Sequence, residues 1–229
     1  MLANSDGIID YKNWKLRLRQ AEGPGPHPVL FLLHGWTGDE NVMWVFTSRL
    51  PRQYLLLSPR GLFPVPQAGY GWHPHLHGIW PGIEDFRPAM DALLELVKDL
   101  SQGAGRPEWA SEADFSRISL MGFSQGAALS FALALLYPDR VQRVAALSGF
   151  LPNDTEKIIA THPLQGMPVF IAHGERDETV PVERARRAAE LLEAAGAQVV
   201  YCEDNVGHKL SAGCFRSMEE FFSIRVEPG

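Results

Sequence analysis

The chain has 229 residues, of which 45% are hydrophobic and 21% charged, a composition typical of a globular protein that can build its own core. Its net charge of −6 and the lack of a basic run exclude a typical nucleic-acid-binding surface and disfavour attraction to anionic membranes. Residues 1–10 show no signal-peptide pattern, and no stretch reaches the roughly 18 apolar residues of a membrane span. We therefore expect a cytoplasmic protein without stable membrane insertion.

Apolar runs and helical patterns alternate along the chain. In chain order, the predicted strands are 14–19 (an edge strand), 29–33, 54–57, 118–121, 141–147, 169–172 and 199–202. Apolar residues at helical spacing predict helices within 83–100, 125–137, 182–195 and 214–222. Continuous apolar strands separated by helices are typical of a parallel sheet covered on both faces. The fold class predicted is α/β, with a mostly parallel central sheet, helices on both faces and one domain over 1–229. The connection between 149 and 169 is too short for a cap domain.

The strand at 118–121 is followed by a motif that is typical of a catalytic serine. It leads into GFSQG at 122–126, which is followed by a helix of small residues. In this context G-x-S-x-G is typical of the nucleophile elbow of an α/β-hydrolase. The glycines let strand and helix cross closely, and the turn holds the serine beside free helix N–H groups. Ser124 is therefore the predicted nucleophile.

A serine hydroxyl needs a base that removes its proton, and in this fold the chain order is Ser, then Asp or Glu, then His. Asp177 follows a predicted strand, with Glu175 and Glu178 as alternative acids in the same loop. His208 follows the last predicted strand, and no other histidine lies beyond Asp177. Because ligands bind at the carboxyl ends of parallel strands, we expect Asp177 and His208 to face Ser124.

An oxyanion hole needs two backbone N–H donors. Gln125, the residue after the nucleophile, is expected to supply one of them. The loop after strand 29–33 is expected to supply the other, and Trp36 is the candidate. His34 in that loop is expected to order it rather than to titrate, since His208 already serves as the base.

The segment 61–82 is longer than an ordinary loop and rich in aromatic residues, histidine, proline and glycine. Long loops in compact domains are usually functional, although a packed surface loop is the alternative. We expect this segment, together with Trp36, to line the substrate pocket. The candidate substrate-binding residues are Leu62, Phe63, Trp72, Ile79 and Trp80.

Three histidines alternate in this segment, at His73, His75 and His77. On an extended strand they would face one way and could meet a metal ion. However, Pro74 interrupts strand pairing, and zinc requires a fourth ligand. We therefore predict no metal site and expect the histidines at the rim of the substrate cleft.

The chain has only two cysteines, Cys202 and Cys214, too few for a disulfide framework. Their spacing does not decide whether they form a bridge. Two reduced thiols are the expectation for a cytoplasmic protein.

Taken together, the motifs resemble the phospholipase/carboxylesterase family of α/β-hydrolases, which includes the acyl-protein thioesterases. The resemblance covers about residues 15–222. It rests on LHGWTGD at 33–39, GFSQGA at 122–127, His173-Gly174 leading to Asp177 and Val180-Pro181, and Gly207-His208.

This resemblance implies a triad of Ser124, Asp177 and His208 that hydrolyses carboxylic esters or thioesters without a cofactor. It also implies that Trp72 lies beside the acyl pocket. The chain differs from similar proteins after Trp72, where an aromatic residue and an acid are usual and residues 73–78 read HPHLHG. Thr37 stands where bacterial relatives often have glycine.

We predict a serine carboxylesterase that acts on short- to medium-chain esters through an acyl-enzyme. The alternative is an acyl-protein or other thioesterase, or a lysophospholipase, that uses the same triad. A non-catalytic ligand-binding protein of the same fold is the remote alternative, and it would be expected to have a broken triad. The expected partners are small-molecule esters or thioesters and no nucleic acid, and the chain is expected to be a monomer or homodimer.

Overall fold

An eight-stranded sheet forms the centre of the computed structural model, which describes residues 6–66, 68–74, 79–102 and 105–224. The ten strands are β1 (Gly7–Tyr11), β2 (Trp14–Arg19), β3 (His27–Leu33), β4 (Leu55–Pro59), β5 (Phe63–Pro64), β6 (Tyr70–Gly71), β7 (Ala113–Phe123), β8 (Val141–Leu147), β9 (Pro168–Gly174) and β10 (Gln198–Asp204). The helices are α1 (Arg87–Gln102), α2 (Gln125–Leu136), α3 (Glu156–Ile159), α4 (Val182–Ala194) and α5 (Ala212–Ser223).

The strand order in the sheet is β1-β2-β4-β3-β7-β8-β9-β10. The β1–β2 and β2–β4 pairs are antiparallel, and the remaining neighbours are parallel. The predicted mostly parallel sheet is therefore confirmed. The connection between β8 and β9, which the structure describes throughout, contains one short helix, α3, and no further helix or strand. This agrees with the prediction that the connection holds no cap domain.

Alternate residues of the buried strands pack into two cores, one on each face of the sheet. In β3, Val29, Phe31 and Leu33 pack with buried residues of α1, α2 and α4. Leu30 and Leu32 point to the opposite face and pack with buried residues of α5. Because successive side chains of a strand point to opposite faces, a strand buried on both sides reads as a continuous apolar run.

The amino-terminal edge of the sheet differs from the prediction. The strand predicted at 14–19 is present as β2, but it is not an edge strand, because β1 pairs with it along its outer side. Strand β1 has the alternating, half-exposed pattern of an edge, and its five residues are too short to stand out from the sequence. The long segment 61–82 also contains structure, since β5 and β6 form a small hairpin within it.

Among the helices that the structure describes, none is both long and apolar enough to cross a bilayer.

The two cysteines are joined by a disulfide bond, so the expectation of reduced thiols is wrong. Cys202 lies on β10 and Cys214 on α5, with their Cα atoms 5.6 Å apart. The fold brings β10 and α5 together, which the spacing of 12 residues could not show. The bridge closes the loop that contains His208.

Removal of this bridge is expected to lower the free energy of unfolding by about 3 kcal/mol, because the closed loop restricts the unfolded chain. The measurement is denaturant unfolding of the oxidised protein with and without reductant. A variant with both cysteines replaced by serine is the control, and reductant should leave its midpoint unchanged. Equal unfolding midpoints for the oxidised and reduced protein would contradict the prediction.

Candidate active site

The carboxyl ends of the central parallel strands lie level at one edge of the sheet. Their terminal residues pair in sequence across β3, β7, β8, β9 and β10, as Leu33 with Gly122, Phe123 with Leu147, Leu147 with Ala172, and Gly174 with Asp204. The loops that follow these strands contain the predicted nucleophile, acid, base and oxyanion donors. The sheet register therefore places these loops beside one another.

Ser124 occupies a strained turn between β7 and α2. Its φ of 52° and ψ of −115° lie in a region that a residue with a side chain rarely adopts. The Ser124 N–H donates to Leu147 O at 2.9 Å, and its carbonyl accepts from Ala127 N–H at 3.0 Å. The strain is thus held by the neighbouring strand and by the first turn of the helix.

The glycines of the GFSQG sequence allow the strand and helix to cross closely. A Cβ atom at Gly126 would lie 2.0 Å from Leu33 O, and one at Gly122 would lie 2.2 Å from Gly126 O. Both neighbours are backbone atoms that cannot move aside. Any side chain at these positions would displace the turn that contains Ser124.

Asp177 is buried and bonded to His208. Its Oδ2 lies 2.6 Å from His208 Nδ1, and its Oδ1 accepts from the N–H groups of Thr179 and Val180 at 2.9 Å each. Because an ionised carboxylate can only accept, Nδ1 of His208 must donate. This leaves Nε2 of the neutral ring without a proton, as a general base requires.

The loop containing His208 is fixed against the loop containing Asp177. Glu175 N–H donates to Asp204 O, and Arg176 N–H donates to Val206 O, both at 2.9 Å. The His208 ring lies against Phe123, with a centroid distance of 4.9 Å, directly beside the nucleophile in sequence. Within the described part of the chain, the Ser124 hydroxyl has no hydrogen-bond partner, so the structure joins acid to base but not base to nucleophile. Catalytic hydrogen bonds often form fully only with substrate.

The alternative acids lie elsewhere. Glu175 and Glu178 are exposed, whereas the Asp177 side chain has no exposed surface. Of the three acids in this loop, the structure places Asp177 against His208.

His173 is a neighbour of the acid to which sequence reasoning assigned no role. It is buried, and its Nε2 lies 2.8 Å from Val180 O and 3.3 Å from Asp177 Oδ2. Burial lowers the pKa of His173, which favours the neutral ring. Its Nε2–H then faces both acceptors and supports the loop that orients Asp177. The His173-Gly174 dipeptide was part of the family resemblance, but its spacing from Asp177 gave no sign of this contact.

His34 orders the loop that contains Trp36. Gly61 N–H donates to His34 Nε2 at 2.8 Å, so the ring proton lies on Nδ1, which donates to Gly35 O at 2.7 Å. Burial lowers the pKa of His34 and favours this neutral form. Gly35 O also accepts from Gly38 N–H at 3.1 Å. The Gly35 C=O and the Trp36 N–H belong to the same trans peptide group, so they point in opposite directions. The Trp36 N–H therefore points away from His34 Nδ1 and the Gly38 N–H.

The same loop lies against Ser124. A Cβ atom at Gly35 would lie 3.2 Å from Ser124 Cβ. Gln125 is the first residue of α2, where backbone N–H groups have no partner within the helix. The N–H groups of Trp36 and Gln125 thus belong to two segments that meet at Ser124.

The Gln125 side chain has a second role that sequence reasoning did not assign. Its Oε1 accepts from Trp72 N–H at 2.7 Å, while the Trp72 indole N–H donates to His34 O at 2.8 Å. Trp72 has no exposed surface. In this structure Trp72 therefore supports the loop that contains Trp36 and presents no surface to a cleft.

The other candidate pocket residues are placed differently from one another. Trp80 is half-buried and packs against Phe150, with a centroid distance of 4.7 Å, whereas Ile79 is 70% exposed. Phe63 is half-buried in β5. Leu62 lines a separate concavity of about 440 Å³ with Trp14, Arg60 and Tyr70 among its other wall residues. Trp80 thus contacts a residue that follows β8.

His73 does not lie at an exposed rim. It is buried, with its ring 5.0 Å from that of Phe86 and stacked on that of Trp36 at 6.1 Å. His75 and His77 lie outside the described residues. Within the described ranges, no three His, Cys, Asp or Glu side chains are grouped so that they could hold a metal ion.

Comparison with known proteins agrees with this architecture. Residues 20–226 match the family model described as Phospholipase/Carboxylesterase. The SOBER1-like probable carboxylesterase of Arabidopsis thaliana is 30% identical over 214 residues, which cover 90% of this chain and 75% of that protein. Acyl-protein thioesterase 1 of Mycosarcoma maydis is 29% identical, over 77% of this chain and 80% of that protein. The crystal structure of the Bacillus cereus carboxylesterase is similar with a TM-score of 0.78 at 23% identity, covering 93% of this chain and 94% of that one.

The sheet order, the strained serine after β7 and the match over residues 20–226 lead to one conclusion. The chain belongs to the phospholipase/carboxylesterase family and is an ester hydrolase with the α/β-hydrolase fold.

Proposed function

We propose that the protein is a serine carboxylesterase with Ser124 as nucleophile, His208 as general base and acid, and Asp177 as the orienting carboxylate. The observation that carries the proposal is the 2.6 Å contact of Asp177 with His208 Nδ1, beside a serine held at positive φ. The contact fixes the tautomer that can accept a proton, and the turn exposes the hydroxyl that would give it.

The reaction proceeds in two halves. The Ser124 oxygen attacks the ester carbonyl while His208 Nε2 takes its proton, and the N–H groups of Trp36 and Gln125 stabilise the oxyanion. The intermediate collapses, the bond to the alcohol oxygen breaks, and His208 returns the proton to the leaving alcohol. Water then attacks the acyl-enzyme with the same base, which releases the acid and regenerates Ser124.

Short- to medium-chain acyl groups are the substrates that we propose. The support is the apolar contact of Trp80 with Phe150, which follows Gly149 beside the Ser124 main chain. A profile of kcat/KM against acyl-chain length, with p-nitrophenyl esters, measures this preference. A maximum at long chains would contradict it.

Covalent labelling tests the proposed nucleophile. A fluorophosphonate probe is expected to modify the native protein once, on the peptide that contains Ser124, because only an activated serine reacts rapidly. Mass spectrometry of the digested protein locates the adduct. The heat-denatured protein is the control and should remain unlabelled. Labelling of another serine, or none, would contradict the assignment and favour the non-catalytic alternative.

Thioester hydrolysis is the second candidate, and the similarity to an acyl-protein thioesterase favours it. The same triad would serve, with a thiol in place of the alcohol as leaving group. Matched oxygen ester and thioester substrates, compared by kcat/KM, separate the two candidates.

The monomeric or homodimeric state stays a prediction, as does the cytoplasmic location. The Cys202–Cys214 bridge bears on location, because disulfides are more common in oxidising compartments.

A further inference from the structure

Three arginines lie close together on helix α4, and one of them differs from the others. Arg186 is paired with Glu203 through Nε at 2.9 Å, and Arg187 is paired with Glu190 at 2.9 Å. Arg184 makes no ion pair with any carboxylate in the described part of the chain, although it is half-buried. In a chain with a net charge of −6, a half-buried cation without a counter-charge is unusual.

An aromatic ring holds Arg184 in place. Its guanidinium carbon lies 3.8 Å from the centre of the Trp80 ring. Trp80 in turn packs against Phe150 and is anchored through its carbonyl, which accepts from Asn153 Nδ2 at 3.0 Å. The Trp80 ring covers one face of the Arg184 guanidinium and holds it in a fixed orientation. The N–H donors lie in the guanidinium plane, so the ring does not block them and they stay available to a ligand.

A series of contacts connects this cation with the turn that contains the proposed nucleophile. A Cβ atom at Gly149 would lie 3.3 Å from Ser124 O, and Phe150 is the next residue. Helix α4 begins just beyond Val180, whose N–H donates to Asp177. The contacts thus lead from the nucleophile through Phe150 and Trp80 to Arg184, along the same edge of the sheet.

We propose that Arg184 and Trp80 form a binding subsite for a carboxylate carried by the ester substrate at a distance from the reacting carbonyl. A planar guanidinium that rests on an aromatic face matches a planar carboxylate, with two parallel charge-assisted hydrogen bonds. A phosphate dianion would call for more than one cation, and the neighbouring arginines of α4 are already paired. This inference rests on the proposed function, because it concerns what the same site accepts.

The test compares substrates that differ only in charge. The first pair is the p-nitrophenyl monoester of adipate and p-nitrophenyl hexanoate, which have acyl chains of equal carbon number. The second pair is 4-acetoxybenzoate and 4-acetoxybenzamide, each with a single ester bond, in which the charge lies on the leaving group. The native protein is expected to prefer the anionic member of one pair by kcat/KM, and that pair identifies which half of the substrate carries the carboxylate. No preference for the anionic member in either pair would overturn the proposal.

Arg184→Gln is expected to lower the anionic-to-neutral ratio of kcat/KM by about tenfold, the effect of losing one hydrogen bond to a charged group. Arg187→Gln, on the same helix, is the matched control and should keep the native ratio. Because the ratio is taken within one preparation, partial misfolding changes both rates equally. Arg184→Lys keeps the positive charge but loses the planar guanidinium, so an intermediate anionic-to-neutral ratio is expected. An anionic-to-neutral ratio that is unchanged in both Arg184 variants would overturn the proposal. If the native protein hydrolyses none of the four esters, the proposed esterase function fails rather than the subsite.

Discussion

Replacement of Ser124 by alanine is expected to lower kcat for p-nitrophenyl ester hydrolysis by on the order of 10⁴- to 10⁶-fold, while substrate binding changes little. The reason is that alanine removes the oxygen that forms the acyl-enzyme, whereas the backbone donors of Trp36 and Gln125 stay in place. The backbone strain at a φ of 52° is similar for alanine and for serine, so the fold should survive the substitution.

The measurement is steady-state kinetics together with a burst of p-nitrophenol, which the variant should lose. Ser119→Ala is the matched control, because Ser119 is a buried serine on β7, the strand that leads to Ser124. Its Oγ lies 3.4 Å from Gln142 Oε1, away from the proposed chemistry. A Ser124→Ala variant within about tenfold of native activity would eliminate Ser124 as the nucleophile, since triad members contribute orders of magnitude.

Asp177→Asn is expected to lower kcat by on the order of 10⁴-fold with little change in overall structure. Asparagine can keep the carbonyl oxygen that accepts from Thr179 and Val180, which are 2.9 Å from Asp177 Oδ1. Its NH₂ group then faces His208 Nδ1 and can only donate to it. The ring is forced into the tautomer with the proton on Nε2, and the base can no longer accept the proton of Ser124.

The pH dependence of kcat distinguishes this effect from simple misfolding, because activity should partly return at high pH if hydroxide takes over the role of the base. Glu175→Gln and Glu178→Gln are the matched controls, since both acids are exposed in the same loop. Loss of activity in either control, with Asp177→Asn active, would mean that the acid has been assigned to the wrong residue.

Local patterns in the sequence were sufficient to predict the central sheet and the GFSQG turn at 122–126. A strand buried on both faces reads as a mostly apolar run, so β3, β8 and β9 were all predicted, as were residues 118–121 of β7. The edge strand β1 was not detected, because an edge strand is short and half-exposed and resembles a loop.

The members of the proposed triad were found because the fold constrains their order. Each lies shortly after a strand whose carboxyl end is level with its neighbours, so position in the chain was enough to propose Ser124, His208 and the loop that contains Asp177. The sequence alone could not choose between Asp177 and its exposed neighbours, since all three are acids in one loop. That choice required the contact with His208.

The α/β class, the GFSQG motif and its candidate partners could be predicted because they depend on periodicity and order along the chain. Contacts between residues distant in sequence became known only from the folded structure. These include the Cys202–Cys214 bridge, the burial of Trp72 against the His34 loop, and the placement of Arg184 on Trp80. The physical reason is that such contacts depend on which faces the packed strands and helices bring together, and no local pattern records that.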